Sequence, residues 1–254
     1  VLLIIVAAPI GSQLDLRRFE DIKKQEEVLK ETILGFAVIN GRLPCPALNA
    51  GACTVGRECF CAEGTGLSVS STCTLTLTMP ANFNGRCAAF GTTSTALAVG
   101  LLPAMSLGIA SSDDNGYLLD AFLQPNSQYR YAVSRTTVNS VVFPLTRVDG
   151  IKLATMDSFG GTSPPTFLTI CPPSTPACSG SARLTTQAPF VVVSLGKNSA
   201  TAFASLGAAE QGNLDDDAGH TFVSGAPVAS FDDVLSWSSI NILFARMVQA
   251  GKLP

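Results

Sequence analysis

Eight cysteines give this sequence its clearest capacity for chemistry. They stand at Cys45, Cys53, Cys59, Cys61, Cys73, Cys87, Cys171 and Cys178. Their even number favours disulfide bonds, because a zinc site needs C-x-x-C pairs or histidine partners. Cys59 and Cys61 form C-x-C instead, and the single histidine lies far away in the sequence. We therefore predict disulfides throughout, and with them an oxidising compartment.

The pairing is readable for two of the cysteines. Cys171 and Cys178 enclose a proline-rich loop, which we expect to be closed by its own bridge. The other six crowd between positions 45 and 87, and their pairing stays open.

His220 is the one residue that could serve as the base in serine or cysteine catalysis. It follows the run Asp215-Asp216-Asp217, but no G-x-S-x-G elbow accompanies it. The acidic run also lacks the alternate-residue spacing of an EF-hand loop. We therefore predict no enzyme activity and no catalytic, metal or cofactor site; calcium at the acidic run stays an open alternative.

Charge is scarce and unevenly placed. Of the 254 residues, 46% are hydrophobic and 14% charged, and the net charge is −3. Eleven charged residues fall within positions 15–31, where both signs alternate. Since no basic patch stands out, we expect no nucleic-acid partner.

Positions 1–41 predict one long helix that must position the rest. Apolar residues recur at helical spacing from Phe19 to Phe36, and Glu26–Lys30 is a well-oriented ion pair. Asn40-Gly41 predicts the end of the helix. At about 1.5 Å per residue, forty residues span about 60 Å, so one end should protrude.

The end that protrudes is the apolar run 1–10, which Pro9 and Gly11 should weaken as a helix. It is too short for a membrane span of about 20 residues. One interpretation is a signal-peptide remnant or truncated anchor; the other is a stem that bundles with copies of itself. The residues predicted to mediate assembly are Val1, Leu2, Leu3, Ile4, Ile5, Val6, Pro9, Ile10, Leu14, Phe19 and Ile22, with Val28, Leu29, Ile33 and Phe36 continuing the apolar face.

The remainder predicts a β-rich head that closes on a short helix. Strand patterns fall at 74–79, 128–134, 139–143, 167–170, 189–195 and 221–224, and the C-terminal helix at about 238–250. Asp149-Gly150 predicts a hairpin over 145–153, and 189–195 a central, doubly covered strand. The fold class is α+β: a stem (1–41) packed on an antiparallel β-sheet head (42–254).

Several of these segments resemble the type IV pilin-like family, the prepilin-type pilins and pseudopilins. The more specific ones are 34–46 (LGFAVINGRLPCP) and the C-terminal stretch 231–254. Weaker matches are 9–18, 101–109, 129–133 (YRYAV), 191–198 (VVVSLGKN) and 221–224. Compared with the family pattern, the extreme N-terminal part of the stem is missing, so we expect either a chain that begins inside the stem or a trimmed subunit.

The resemblance implies a structural subunit of a type IV pilus-like or pseudopilus filament. The stem would sit in the inner membrane before assembly, and an assembly ATPase and platform protein would extract it. Stems would then bundle as a helical homo-oligomer, with the heads outside, at the cell surface. Two alternatives are a minor, tip-located pilin acting as initiator or adhesin, and a secreted, disulfide-stabilised enzyme or binding module.

Overall fold

The computed structural model describes residues 2–62, 73–83, 85, 87–88, 98–138, 141–154, 168–174, 183–214, 221–228 and 230–253, giving the backbone alone for 2–10, 135–138 and 141–144. Within these ranges, helices and mainly antiparallel sheets combine in one α+β chain, and this fold class agrees with the prediction.

Helix α1 runs from Leu2 to Asn40, which at about 1.5 Å per residue is about 58 Å long. It continues through Pro9 and Gly11 without interruption. It ends where the sequence predicted: Gly41 has a φ of 69°, and its N–H donates to the Ala37 carbonyl at 2.8 Å. The left-handed conformation, which glycine adopts without strain, turns the chain away from the helix axis.

The strands of the head, as far as the structure describes them, are short. They are β1 (Phe60–Cys61), β2 (Leu75–Thr76), β3 (Ala98–Leu101), β4 (Arg130–Val133), β5 (Arg135–Val138), β6 (Val141–Pro144), β7 (Leu168–Cys171), β8 (Thr185–Ala188), β9 (Phe190–Ser194), β10 (Thr221–Val223) and β11 (Val234–Trp237). The further α-helices are α2 (Gly150–Leu153), α3 (Ala208–Leu214) and α4 (Ile240–Gln249).

The central sheet has the order β11-β9-β4-β3, with every neighbour antiparallel. Strand β9 is buried along its whole length, which confirms the predicted central strand. Its side chains alternate between two cores: Phe190 and Val192 join the core beneath α1, while Val191 and Val193 join the core on the opposite face. Both faces of this sheet are therefore covered.

Helix α1 packs against the first of these faces. Ile22, Leu29, Ile33, Leu34 and Ala37 are buried there, together with side chains of β4, β9 and α4. Each such aliphatic side chain contributes about 1.5–3 kcal/mol when it leaves water, alanine less. The second half of α1 is therefore an integral part of the head.

A second sheet, of order β10-β7-β8, covers the other face. Here β7 pairs with β8 antiparallel but with β10 parallel, so the head is not antiparallel throughout. The long connection between β7 and β10 permits this, since a parallel neighbour needs a crossover instead of a tight turn.

The predicted hairpin over 145–153 is wrong. Asp149 does adopt the left-handed turn conformation, with a φ of 63°, but the chain continues into the single turn of α2. Ile151 is fully buried in the core beneath α1. Burial of that side chain overrides the local strand pattern.

The disulfide prediction is confirmed for three pairs: Cys45–Cys87, Cys53–Cys59 and Cys61–Cys73. Cys171 is disulfide-bonded as well, while Cys178 lies outside the described residues.

A buried ion pair joins the exit of α1 to this disulfide-rich region. The Arg42 guanidinium donates to Glu58 through Nη1 to Oε1 at 2.6 Å and through Nη2 to Oε2 at 3.0 Å. Both side chains are almost fully buried. Glu58 also accepts from the Cys45 N–H at 2.6 Å, and the guanidinium lies over the rings of Phe36, Phe60 and Phe83. Nearly every polar atom of the pair therefore has a partner.

We expect Glu58→Gln to lower the free energy of unfolding by about 3–5 kcal/mol, because it leaves a buried guanidinium without its counter-charge. Urea unfolding followed by circular dichroism measures this. The matched control is Glu31→Gln, which breaks the exposed pair with Arg246 and should cost at most about 1 kcal/mol. Equal losses in the two variants would contradict the assigned role of the Arg42–Glu58 pair.

Candidate functional site

The predicted assembly residues separate into two groups along α1. The backbone of 2–10 is helical, while Val1 and the side chains of 2–10 lie outside what the structure describes. Leu14 is 49% exposed. Phe19 is partly buried, with its ring 5.0 Å from that of Phe122, and Ile22 is completely buried.

Phe19 and Ile22 therefore attach the helix to its own head. In this conformation Ile22 offers no surface to another molecule, contrary to its inclusion among the assembly residues. The same is true of Leu29 and Ile33, which continue the predicted apolar face and are buried in the head core. The helical period was right, but the partner of this part of the face is the sheet of the same chain.

Val28 was predicted to share that face and does not. It is 63% exposed, because it lies about 100° around the helix from the buried Leu29. Ile39 is 75% exposed on the same outward side. Gly35 is also exposed, and a Cβ added there would meet nothing within 4 Å. The outward face of α1 thus carries apolar side chains that the described part of the head does not cover.

Helix α1 leaves the head at its N-terminal side. Residues 11–14 are all exposed, and the helix continues beyond them to Leu2. On this N-terminal side of the head, Lys197 donates to Asp15 at 2.7 Å. Further along the helix, Arg246 donates to Glu31 at 2.9 Å. Both pairs are exposed, so each contributes at most about 1 kcal/mol. The apolar contacts fix the helix in place, and the ion pairs add little.

A different group of residues forms the one carboxylate cluster found among the described residues. Single oxygen atoms of Glu210, Asp232 and Asp233 lie within 4.8 Å of one another. Glu210 belongs to α3, and the two aspartates precede β11. Carboxylate oxygens are the ligands that calcium takes, so this trio could hold a divalent cation.

Sequence reasoning did not find this cluster. It considered Asp215–217 and His220, which lie outside the described residues, and treated 231–233 only as part of the family resemblance. The signal was weak because the three carboxylates come from segments far apart in the sequence. Only the fold brings α3 beside the start of β11.

Each carboxylate of the cluster already has donors. Asn198 Nδ2 donates to Glu210 at 2.7 Å, Asn213 Nδ2 to Asp233 at 2.9 Å, and the Lys197 N–H to Asp232 at 3.0 Å. These N–H donors hold the carboxylate oxygens in place. None of the three donors carries a charge. The negative charge of the cluster is thus only partly compensated.

Burial raises the pKa of Asp232 to about 6 and that of Asp233 to about 8, and the neighbouring Glu210 adds to both shifts. Close to Asp233, burial lowers the pKa of Arg130 to about 10, an effect that the Asp233 charge opposes. At neutral pH a proton therefore resides on Asp233 for much of the time.

Within the part of the chain that is described, no helix combines the length and the apolar character that crossing a membrane requires. We found no match for the chain among protein-family models, curated proteins or solved structures.

We expect the free energy of unfolding to fall as pH rises from about 4 to about 8. A carboxyl whose pKa is raised by folding holds its proton more tightly in the folded state, so its stabilising effect is complete at low pH and is lost through the folded pKa. Asp233→Asn keeps the side-chain shape and removes this titration. The slope should then decrease by about 1.4 kcal/mol per pH unit between pH 4 and 8.

Urea unfolding at each pH measures that slope. Asp21→Asn is the control, because Asp21 is an exposed helix residue paired only loosely with Lys24, at 3.9 Å. An unchanged slope in Asp233→Asn would contradict the assignment of the raised pKa to this residue.

Proposed function

We propose that this chain is a structural subunit of a type IV pilus-like or pseudopilus filament and that it polymerises through its N-terminal helix. The observation that carries the proposal is the continuity of α1. The helix passes from a head-bound half, through the exposed turn 11–14, into the apolar run 2–10. A rigid rod with an apolar end is a suitable device for bundling with copies of itself.

The separation along α1 between the part that packs on the head and the apolar run supports this proposal. The head core takes its α1 residues from Phe19 to Val38, with Ile22 the first that is completely buried. We call this part of α1, residues 19–38, the seat of the helix. The apolar run ends more than two helical turns before it. Leaving it in water would cost about 1.5–3 kcal/mol for each large side chain, so a covering partner would be strongly favoured.

The head has features that suit a protein located outside the cytoplasm. Three disulfides stabilise the region directly after the helix exit, each by about 2–4 kcal/mol. Such bonds persist in oxidising surroundings, as at a cell surface. The family resemblance adds that the stem would reside in the inner membrane until an assembly machinery extracts it.

We expect a variant that lacks residues 1–10 to remain a folded monomer, because the head retains its complete core while losing the apolar end. Analytical ultracentrifugation of the variant, beside electron micrographs of the full chain, tests this. Polymers formed equally by the shortened variant would overturn the proposal.

A point substitution distinguishes assembly through the stem from nonspecific association of exposed apolar side chains. We expect Leu14→Glu to reduce the polymer fraction at least tenfold, because it places a charge beside the apolar run in a bundle that excludes water. Leu184→Glu is the matched control: Leu184 is also about half exposed, at 53%, but lies on the head before β8. Equal effects of the two substitutions, measured by sedimentation of polymer, would contradict a stem-centred assembly.

Counting the subunits along purified filaments distinguishes a major subunit from one confined to the tip. Labelling along the whole length is expected for the major subunit, and labelling at one end for an initiator or adhesin.

A further inference from the structure

One carboxyl group is enclosed between α1 and the head without full hydrogen bonding. Glu26 is only 2% exposed, and its Oε1 has no hydrogen-bond partner. The sequence predicted an ion pair of Glu26 with Lys30, but Lys30 pairs with Glu27, and Glu26 faces the central sheet. A buried carboxyl with an unpartnered oxygen is rare, since each such atom costs about 1–3 kcal/mol.

The surroundings of Glu26 on the head are polar and acidic. From β11, Ser236 Oγ donates to the backbone carbonyl of Glu26 at 3.4 Å, and on β9 Ser194 Oγ donates to the Asp120 carboxylate at 2.6 Å. Asp120 is itself buried. The Ser194 backbone also forms a hydrogen bond with the Glu26 carboxyl, so the two carboxyl groups share Ser194 as a partner.

The charged and titratable groups that act on Glu26 come from α1 and from the segment before β4. They are Glu27 and Lys30 on the helix, and Asp120 and Tyr129 on the head. Burial is the main cause that raises the pKa of Glu26, and the charges of Glu27 and Asp120 raise it further, whereas Lys30 and a backbone hydrogen bond from Ser194 lower it. Burial likewise raises the pKa of Asp120.

We propose that Glu26 is a proton-dependent latch, which lets α1 lie on the central sheet when neutral and weakens that contact when ionised. Among the described residues, an ionised carboxylate in this position has no cation close enough to form a hydrogen-bonded pair. Its desolvation would cost several kcal/mol, and hydration of the carboxylate requires the helix to move away from the sheet.

The two ends of the head-bound half are held differently, which gives the movement a direction. At the C-terminal end, Arg42 is clamped by Glu58, and Cys45 follows with its disulfide to Cys87. At the N-terminal end, the exposed Asp15–Lys197 pair contributes little. Separation of α1 from the sheet therefore begins at the N-terminal side, around Ile22 and Glu26, while the C-terminal end of the helix at Arg42 stays fixed.

The direction of the pH effect comes from the raised pKa. Below the pKa of an ordinary glutamate, both the closed and the open state are protonated, and the closed state is favoured fully. As pH rises toward the folded pKa, the open state releases its proton first, so the opening equilibrium increases about tenfold per pH unit.

Hydrogen–deuterium exchange of the full chain between pH 5 and 9, corrected for the intrinsic rate, tests the latch. We expect the opening constant of amides in 19–30 to rise about tenfold more steeply per pH unit in the wild type than in Glu26→Gln. Amides of β9 serve as the internal reference and should not show this rise. Glu20→Gln is the matched control, because it makes the same change at an exposed residue of the same helix that is not among the groups acting on Glu26, and it should keep the wild-type slope.

Two results would overturn the proposal: an unchanged slope in Glu26→Gln, or a wild-type slope shared equally by α1 and β9, which would indicate global unfolding. If Glu26→Gln does not fold, Glu26→Met supplies the same comparison with an apolar side chain of similar length. The experiment measures a contact within one chain, so its failure leaves the filament proposal unaffected, and the reverse also holds.

Discussion

The bidentate pair between Arg42 and Glu58 fixes where the helix ends and the head begins. Arg42 lies just beyond the last turn of α1, its guanidinium covers the Phe36 ring of that helix, and its charge is met by Glu58 inside the disulfide-rich region. Because Glu58 also binds the Cys45 N–H, one carboxylate organises the exit of the helix and the first disulfide. The position of the C-terminal end of α1 on the head depends on this pair.

Three further buried carboxyls in the described part of the chain, those of Glu26, Asp120 and Asp233, have other hydrogen-bond partners than Glu58 does. Glu58 has a guanidinium, whereas the Glu26 carboxyl has a backbone donor at Ser194. Asp120 accepts from the Ser194 hydroxyl and the Phe122 N–H, and Asp233 from the Asn213 amide at 2.9 Å. Burial favours the neutral acid, which is the direction of the pKa shift at all three, and at Asp233 the charge of the nearby Arg130 opposes that shift only in part. The head thus combines one bidentate ion pair with several buried carboxyls whose pKa values are raised, and these carboxyls lie where α1 and α3 pack on the head.

Strong local signals made part of this fold predictable. The buried run of β9 and the stop at Asn40-Gly41 each reflect a constraint within a few residues, and the structure agrees with them. The even cysteine count predicted disulfides in general, but the pairing of Cys45 with Cys87 depended on the fold. The hairpin at Asp149-Gly150 failed although the turn signal was real, because burial of Ile151 makes the chain after the turn helical.

The outcome at α1 and at the carboxylates depended on distant partners. Helical period predicted the buried row Ile22, Leu29 and Ile33, but period alone cannot say whether the row meets the same chain or another. Glu26 resembled one more surface charge in a charged stretch, and only the sheet beneath it makes it an interior residue. The Glu210, Asp232 and Asp233 cluster joins two segments that no spacing rule connects.

The magnitudes indicate why a latch at Glu26 would act locally. Ile22, Leu29, Ile33 and Leu34 each contribute about 1.5–3 kcal/mol of burial, so the seat as a whole exceeds the several kcal/mol that one ionised carboxylate costs. Ionisation therefore cannot detach the whole helix. It can loosen the N-terminal part of the seat, where Ile22 is the one fully buried aliphatic side chain that the structure describes in α1 before Glu26, while Ile33, Leu34 and the Arg42–Glu58 pair hold the remainder. Because the apolar run 2–10 lies on the loosened side, a small change of angle there would be magnified along about 30 Å of helix, enough to alter how a stem meets its neighbours.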